Sequence, residues 1–325
     1  MDIRIEALRP AGPGDPVLRD LAALYSEEWT GFSPELLWAK YGNNPQAPAG
    51  LPPFLAVYAD GRLAAANGYI ATRFIGGERP LVGVQDCDSY VGRAYRGKGI
   101  FSKLIKECER VYAAAGADFI YGYPNENSFG SYRRLDWGIG RAADYRGKAY
   151  LGPLGASYRA ADRAALRRAR AGGWEIVPAD PAALPAAAPG AGLVAQDTDG
   201  PYLAWRLAPG RGPYRAALAR RGAQEGWAAW RVAEGGLKVM ALGGDAQGSA
   251  LALRYAAAGL RGLAQAVEPL DPARAAALGA AGYMPAALMR LMKKRTMTVV
   301  WRALAKDLPD LGRILDLSYA DFDTV

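Results

Sequence analysis

Apolar and polar residues alternate along the start of the chain with a period that changes from strand to helix and back. Residues 2–8, DIRIEAL, have the two-residue period of a strand, whereas Leu18, Leu21 and Leu24 fall on one helical face. The pattern predicts, in chain order, a strand at 2–8, a helix at 16–29, a short helix around 33–42 and a hairpin over 53–75 that turns at ADGR.

The next stretch predicts a strand, an amphipathic helix and a second buried strand in direct succession. Residues 81–91 and 117–125 are rich in residues that suit a strand. Between them, residues 100–115 place their apolar positions on one helical face, with lysines, an arginine and a glutamate opposite. A short helix with a turn at its end is predicted over 128–138.

The second half shows a similar order of elements. It predicts a hairpin over 226–244, a helix at 250–262, a strand at 263–269, a helix and turn at 271–284 and a last strand at 287–294. The pieces YRRLDWG and ALGAAGYM take corresponding places in the two halves. We interpret the repeated order as an internal duplication, the alternative being chance similarity between two α/β halves.

A length of 325 residues favours two domains. The predicted division is a first domain at 1–152, an Ala/Pro-rich connection at 153–195, a second domain at 196–300 and a C-terminal tail at 301–325. The fold class is α/β, with mixed sheets of the α+β kind.

The composition excludes several kinds of catalytic and metal site. The formal charge is 40 − 32 = +8, but the arginines are scattered through Ala-rich helices, which disfavours nucleic acid as a partner. Two cysteines make no disulfide framework, and the absence of histidine removes Ser-His and Cys-His catalysis and every His-ligated metal. No secretory signal or membrane span is predicted, so we expect a cytoplasmic protein with no metal and no membrane partner.

The motif YRGKGIF, residues 95–101, follows a predicted strand and begins a helix. Such a loop brings unpaired backbone N–H groups and the positive end of a helix dipole together, which attracts phosphate. Gly97 and Gly99 allow close approach of a ligand, and Arg96 and Lys98 add positive charge. The spacing is neither that of a Walker A loop nor that of the dinucleotide fingerprint.

Together with Asn125, Ser128 and Tyr132 after the following strand, this loop resembles the core of the GCN5-related N-acetyltransferases (GNAT) over residues 54–140. The chain departs from the family pattern at Phe101, where Gly or Ala is usual, and at Asp136-Trp137, which stands in place of Gly-Phe. The resemblance implies a GNAT fold, a degenerate second domain of the same fold in the C-terminal half, and acetyl-CoA or another acyl-CoA as donor.

The resemblance also implies residue roles. The donor would be held by Val91, Arg96, Gly97, Lys98, Gly99, Ile100, Phe101, Asn125 and Ser128. Tyr132 would protonate the departing CoA thiolate, its alternative being an ordinary helix residue with a solvated hydroxyl.

A base must remove the amine's proton, and the acids on the central strand are the candidates. Asp86 and Asp88 alternate there and should share one face, with Glu126 as a third candidate. Cys87 should point to the opposite face as a buried structural thiol. The aromatic segment 29–42 either roofs a substrate pocket or belongs to the core.

The leading hypothesis is an acyl-CoA-dependent N-acyltransferase that acylates a primary amine of a small molecule, a sugar precursor or a natural-product intermediate. One alternative keeps the fold but takes its donor from an acyl-carrier protein or an aminoacyl-tRNA. Another is a non-catalytic module that senses acyl-CoA. A homodimer is left open as the assembly.

Overall fold

The computed structural model describes residues 2–140, 144–208, 212–233, 236–291, 298–308 and 310–317. The chain divides into two compact units. The first unit comprises Met1–Phe74, Pro80–Arg141 and Thr298–Arg313, and the second comprises Ile75–Arg79, Ala142–Met297 and Ile314–Val325.

The first unit is built on one mixed sheet. Its elements are β1 (Ile3–Leu8), α1 (Pro16–Tyr25), α2 (Pro34–Tyr41), β2 (Phe54–Ala59), β3 (Arg62–Ile75), β4 (Leu81–Val91), α3 (Ile100–Ala114), β5 (Phe119–Gly122), α4 (Glu126–Arg134), β6 (Gly138–Ile139) and, late in the chain, β14 (Val300–Ala303). The strand order is β1-β2-β3-β4-β5-β14-β6, antiparallel except between β4 and β5. The elements predicted over residues 2–138 are confirmed.

Helix α3 supplies the apolar face that the sequence predicts. Leu104, Ile105, Cys108 and Tyr112 are buried in one core cluster with residues of β2 to β5. Burial of such side chains contributes roughly 1.5–3 kcal/mol each for the larger aliphatic ones. The helix therefore fixes the loop before it against the sheet.

The second unit has its own sheet and core. Its elements are β7 (Tyr145–Ala149), α5 (Gly152–Ala171), β8 (Glu175–Ala179), β9 (Val194–Gln196), α6 (Gly200–Arg206), β10 (Tyr214–Arg221), β11 (Gln224–Ala233), β12 (Gly236–Gly244), α7 (Ala246–Ala257), β13 (Leu263–Val267), α8 (Pro272–Ala280), α9 (Ala286–Leu291) and β15 (Leu315–Asp316); α10 (Leu311–Ile314) ends where the units divide. The sheet order is β7-β13-β12-β11-β10-β8.

The two units share one connection pattern. In each, four strands pair antiparallel (β1-β2-β3-β4 and β8-β10-β11-β12), and the fourth pairs parallel with the next strand, β5 or β13. A helix, α3 or α7, makes that parallel crossover, and another, α4 or α8, follows it. This order is what an internal duplication would produce, and the duplication remains our interpretation.

Three predictions about the second half differ from the structure. The connection at 153–195, interpreted as partly helical and partly loose, does contain the helix α5, but it also contains the strand β8, which pairs with β10 in the second unit's sheet. The tail at 301–325 contains most of β14, which lies between β5 and β6 in the first unit's sheet. The last strand at 287–294 is wrong over its described part, where Pro285 precedes α9 and the Ala, Leu and Met residues favour a helix.

Candidate active site

Strands β4 and β5 separate at Asp86. Their parallel pairing runs through four register positions, from Gly83 opposite Phe119 to Asp86 opposite Gly122. Beyond that pair β5 ends, while β4 continues to Val91. Beyond the last pair, the backbone groups of β4 on this edge have no partner in β5 and are available to an extended ligand.

Asp86, the last residue of β4 that pairs with β5, accepts hydrogen bonds from three side chains. Its Oδ2 accepts from the Tyr132 hydroxyl at 2.6 Å, and its Oδ1 accepts from Ser89 Oγ and Asn67 Nδ2 at 2.9 Å each. The residue is 7% exposed. Burial raises the pKa of Asp86 to about 6, although the Tyr132 and Ser89 hydroxyls act in the opposite direction.

Tyr132 is held between two aromatic rings. It is 4% exposed and packs against Trp137 at 4.8 Å and edge-on against Phe101 at 5.7 Å between ring centroids. Burial and the neighbouring Asp86 carboxylate raise the pKa of the Tyr132 phenol well above its usual range. Trp137 is itself fixed, since its Nε1 donates to Glu109 on α3 at 2.8 Å.

The prediction that Asp86 and Asp88 share one face is wrong. The β3–β4 register shifts between Ala66, opposite Tyr90, and Gly68, opposite Cys87, which leaves an extra residue on β4. Asp88 adopts a φ of 45° at this bulge. A bulge breaks the two-residue alternation and redirects the side chain, so Asp88 contacts α2 instead of Tyr132.

Asp88 is occupied by two donors from α2. Its Oδ2 accepts from Lys40 Nζ at 2.5 Å and from the Tyr41 hydroxyl at 2.6 Å. Lys40 is only 2% exposed, so this is a buried ion pair. A carboxylate held in this way positions α2 against the strand and is a poor candidate for the base.

Cys87 is buried, as predicted. It pairs in register with Gly68, where an added Cβ would meet the Tyr41 ring, while the next pair joins Asp86 to Tyr69. Successive residues of a strand point to opposite faces, which places Cys87 and Asp86 on different faces of the sheet.

The loop before α3 has the geometry of an anion site. Gly97 and Gly99 have φ values of 76° and 70°, a region that favours glycine. Gly99 is the N-cap of the 15-residue helix, and among the described residues no side chain caps that end. The first-turn N–H groups of α3 therefore have no described capping side chain and can donate to a ligand.

The two cations of the loop are held at its rim. Arg96 donates to the Val91 carbonyl at 3.1 Å and to Glu28 Oε2 at 3.0 Å, and its guanidinium lies over the Tyr90 ring. Hydrogen bonding to Glu28 raises the pKa of Arg96. Lys98 Nζ donates to the Ala94 carbonyl at 3.1 Å. Both side chains are exposed or partly exposed and can turn towards a bound anion.

The residues after β5 begin α4. Asn125 is its N-cap, and its Oδ1 accepts from the N–H groups of Asn127 and Ser128 at 3.0 and 3.1 Å. This cap orients the helix that carries Tyr132. Glu126 is exposed in the first turn of α4. Asn125 therefore has a structural role whether or not it also contacts a donor.

A cavity of about 340 Å³ lies in the first unit beside α2. Trp38, Tyr41 and Tyr69 are among its lining residues. Tyr41 bonds Asp88, and the Tyr69 hydroxyl accepts from Asn67, which also bonds Asp86. Within the aromatic segment 29–42, Trp38 and Tyr41 line this cavity, whereas Trp29 and Phe32 pack with Tyr25.

The sequence analysis missed the residues that hold the two carboxylates. These contacts are formed by Lys40, Tyr41, Asn67 and Ser89. Asn67 and Ser89 come from stretches interpreted as strands, and Lys40 and Tyr41 come from the aromatic segment 29–42, for which no contact with a carboxylate was predicted. One signal was available: Lys40 follows four apolar residues, Leu36 to Ala39, and precedes Tyr41, and a lysine that becomes buried needs a partner.

Neither a metal centre nor a membrane helix is found in the described part of the chain. Within it, no three His, Cys, Asp or Glu residues are grouped so as to hold a metal ion. The described helices also include none with the length and apolar character needed to cross a bilayer.

Comparison with known proteins agrees with this geometry. Residues 18–137 match the model of the acetyltransferase (GNAT) family. No curated protein matches the sequence.

Solved structures share the fold over most of the chain. A GCN5-related N-acetyltransferase from Kribbella flavida superposes with a TM-score of 0.60 at 16% identity, over 93% of this chain and 72% of that one. A GCN5-related N-acetyltransferase from Anabaena variabilis ATCC 29413 gives 0.59 at 9% identity, over 94% and 73%. At these identities the likeness establishes the fold.

Proposed function

Residues 18–137 belong to the acetyltransferase (GNAT) family, and from this premise we propose that the first unit is an acyl-CoA-dependent N-acyltransferase. Acetyl-CoA is the proposed donor, and the acceptor is a primary amine of a small molecule, such as a sugar or natural-product precursor. The observation that carries the proposal is the 2.6 Å hydrogen bond from Tyr132 to Asp86 where β4 and β5 separate.

The donor would lie along the diverging strands with its pyrophosphate at the start of α3. The uncapped N-terminus at Gly99 provides N–H donors, and Arg96 and Lys98 provide charge. Binding would require Arg96 to exchange Glu28 for phosphate, and both are exposed enough to do so.

The chemistry requires two proton movements. The amine nitrogen attacks the thioester carbonyl, a C–N bond forms, the C–S bond breaks, and the CoA thiolate leaves. Asp86 takes the proton that the amine loses, and Tyr132 gives its phenolic proton to the thiolate. The products are the amide and the free thiol of CoA.

The direct contact between the two residues provides the return step. Once Asp86 is protonated, it can donate to the Tyr132 oxygen along the same hydrogen bond and restore the phenol. A pKa of about 6 suits Asp86 to this task, because the carboxylate is ionised at neutral pH and basic enough to accept a proton.

The second unit lacks each of these features at the corresponding places. Its crossover helix α7 is capped by Asp245, whose Oδ1 accepts from the N–H groups of Gln247 and Gly248. Strand β12, GLKVMALGG, contains no carboxylate. The same backbone hydrogen bond occurs after both helices: the Leu278 carbonyl accepts from the N–H of Tyr283, and the Tyr132 carbonyl accepts from the N–H of Trp137. Leu278 therefore corresponds to Tyr132, and the second unit has a leucine where the first has the phenol. We therefore propose one donor site per chain.

Calorimetric titration with acetyl-CoA tests the donor site. We expect one site per chain, and we expect Gly99→Asp to weaken binding by about a hundredfold, because an acidic cap repels phosphate at close range. Gly99→Asn is the matched control, since asparagine tolerates a positive φ and carries no charge. A titration without heat, or equal affinity in both variants, would refute the donor site.

Release of free thiol in the presence of a panel of primary amines tests the transfer. At least one amine should accelerate release in the wild-type protein and not in Tyr132→Phe. Binding of acetyl-CoA with a release rate that no amine changes would instead favour the sensing module.

A further inference from the structure

The second unit contains an open groove that the proposed chemistry does not use. It has a volume of about 530 Å³ and is lined by residues of α5, α7 and α8, with Trp174 and Arg221. Its floor is apolar, with alanines and Leu251. Volumes of this size suit a small organic ligand.

Three arginines and no acid line this groove. Arg168, Arg221 and Arg254 are its charged residues. Arg168 is exposed on α5 and has no carboxylate partner among the described residues. Arg221 donates to the neutral Gln224 side chain and lies over the Trp174 ring at 5.0 Å, again without a described acid. The wall is therefore positively charged.

The third arginine belongs to a buried cluster with excess positive charge. Asp162 is fully buried and accepts from Lys148 at 2.9 Å and from Arg254 at 2.5 Å. Its remaining described donor, the Tyr150 hydroxyl, is neutral. The formal charges of Lys148, Arg254 and Asp162 therefore sum to +1, and the Ala280 and Ala281 carbonyls also accept from these two cations. Of the three, Arg254 lines the groove.

Trp174 adds an unused hydrogen-bond donor. The residue lines the groove and is 3% exposed, and its Nε1 has no acceptor in the described part of the structure. A buried indole N–H normally has a partner. This N–H is itself shielded from solvent, so a ligand in the groove would meet the Trp174 ring, and a carboxylate would supply the negative charge that Arg168 and Arg221 lack.

We propose that this groove binds a small organic acid with an apolar body, of the size of a medium-chain carboxylate. The alanine and leucine floor takes the apolar part, and Arg168 and Arg221 take the carboxylate. This site is separate from the proposed transfer site, since every lining residue belongs to the second unit.

Calorimetry on the full chain tests the proposal with decanoate as the probe. Decan-1-ol and decyltrimethylammonium share its chain but lack a carboxylate. We expect decanoate to bind at one site, and we expect Arg168→Gln and Arg221→Gln each to weaken it by about tenfold, the loss typical of one charged hydrogen bond. Arg167→Gln, exposed on the same helix but outside the groove, should change nothing.

A steric pair completes the test. Ala276→Phe places a ring in the groove from the exposed side of α8, whereas Ala273→Phe adds the same ring on that helix outside the groove. Only the first should abolish decanoate binding, and acetyl-CoA binding should persist in both. Absence of decanoate binding, equal binding of decan-1-ol, or insensitivity to Arg168→Gln, Arg221→Gln and Ala276→Phe would overturn the proposal.

Discussion

The ring of Phe101 meets the ring of Tyr132 edge-on, at an interplanar angle of 88°. Phe101 is the position at which the loop departs from the family's usual small residue, and Trp137, the other departure, contacts the same tyrosine. Both positions of departure therefore contact the phenol proposed as the acid, which lies between the Phe101 and Trp137 rings.

Replacing Phe101 tests this relationship. Phe101→Ala should lower kcat by about tenfold, because a phenol free to move loses alignment with the thioester. The KM for acetyl-CoA should change much less. Phe101→Leu keeps part of the packing, so its kcat should lie between those of the wild type and Phe101→Ala. Steady-state kinetics check this order, and an unchanged kcat in Phe101→Ala would show that the ring does not position Tyr132.

Removing the Tyr132 hydroxyl tests the acid role. Tyr132→Phe keeps the ring between its neighbours and should lower kcat by about 10²–10⁴-fold, the range for a lost general acid. It also removes a donor from Asp86, so the pKa of Asp86 should rise and the acidic limb of any residual activity should move to higher pH. A pH profile of the variant measures both. A limb that stays in place would argue against the contact.

The raised pKa of Asp86 makes a prediction about stability. The folded state binds the Asp86 proton more tightly than the unfolded state does. Asp86 therefore contributes fully to the free energy of unfolding below its ordinary pKa of 3.8, and this contribution is lost as the pH rises through about 6. From pH 4 to pH 8, the free energy of unfolding of the wild type should fall relative to that of Asp86→Asn by about 2–3 kcal/mol. Urea unfolding at both pH values checks this, with the exposed Asp20→Asn as control.

The Lys40–Asp88 pair should matter for stability more than for chemistry. Lys40→Met leaves a largely buried carboxylate without its cation and should lower the free energy of unfolding by about 3–5 kcal/mol. Adding Asp88→Asn should recover part of that loss. If the folded double variant instead lost activity by as much as Asp86→Asn does, Asp88 would have a direct catalytic role.

The sequence predicted the first unit well because its elements have strong local signals. The amphipathic pattern of α3 and the turn at Asp60-Gly61 place both elements, and the loop at 96–101 lies where the motif predicts. The strand β14 could not be predicted as part of this sheet, because it pairs with β5 across 178 to 184 residues of sequence (300 − 122 and 303 − 119), and no local pattern indicates a partner at that distance.

The site itself was predicted only in part. The sequence named Asp86 and Tyr132 as candidates, and the structure brings these two side chains into contact. The alternation rule also placed Asp88 beside Asp86, and one extra residue in β4 breaks that rule. A bulge depends on pairing with β3, so residues 86–88 alone do not indicate it. The contacts of Asn67 and Lys40 are equally long-range.

The pH dependence of kcat/KM for amine acylation tests the central claim most directly. The account predicts that activity of the wild-type protein falls on the acidic side as the pH drops through about 6, where Asp86 becomes protonated. In Asp86→Asn this limb should vanish and activity at pH 8 should drop by about a hundredfold or more. An Asp86→Asn protein with wild-type activity and an unchanged acidic limb would contradict the role of the Asp86–Tyr132 pair.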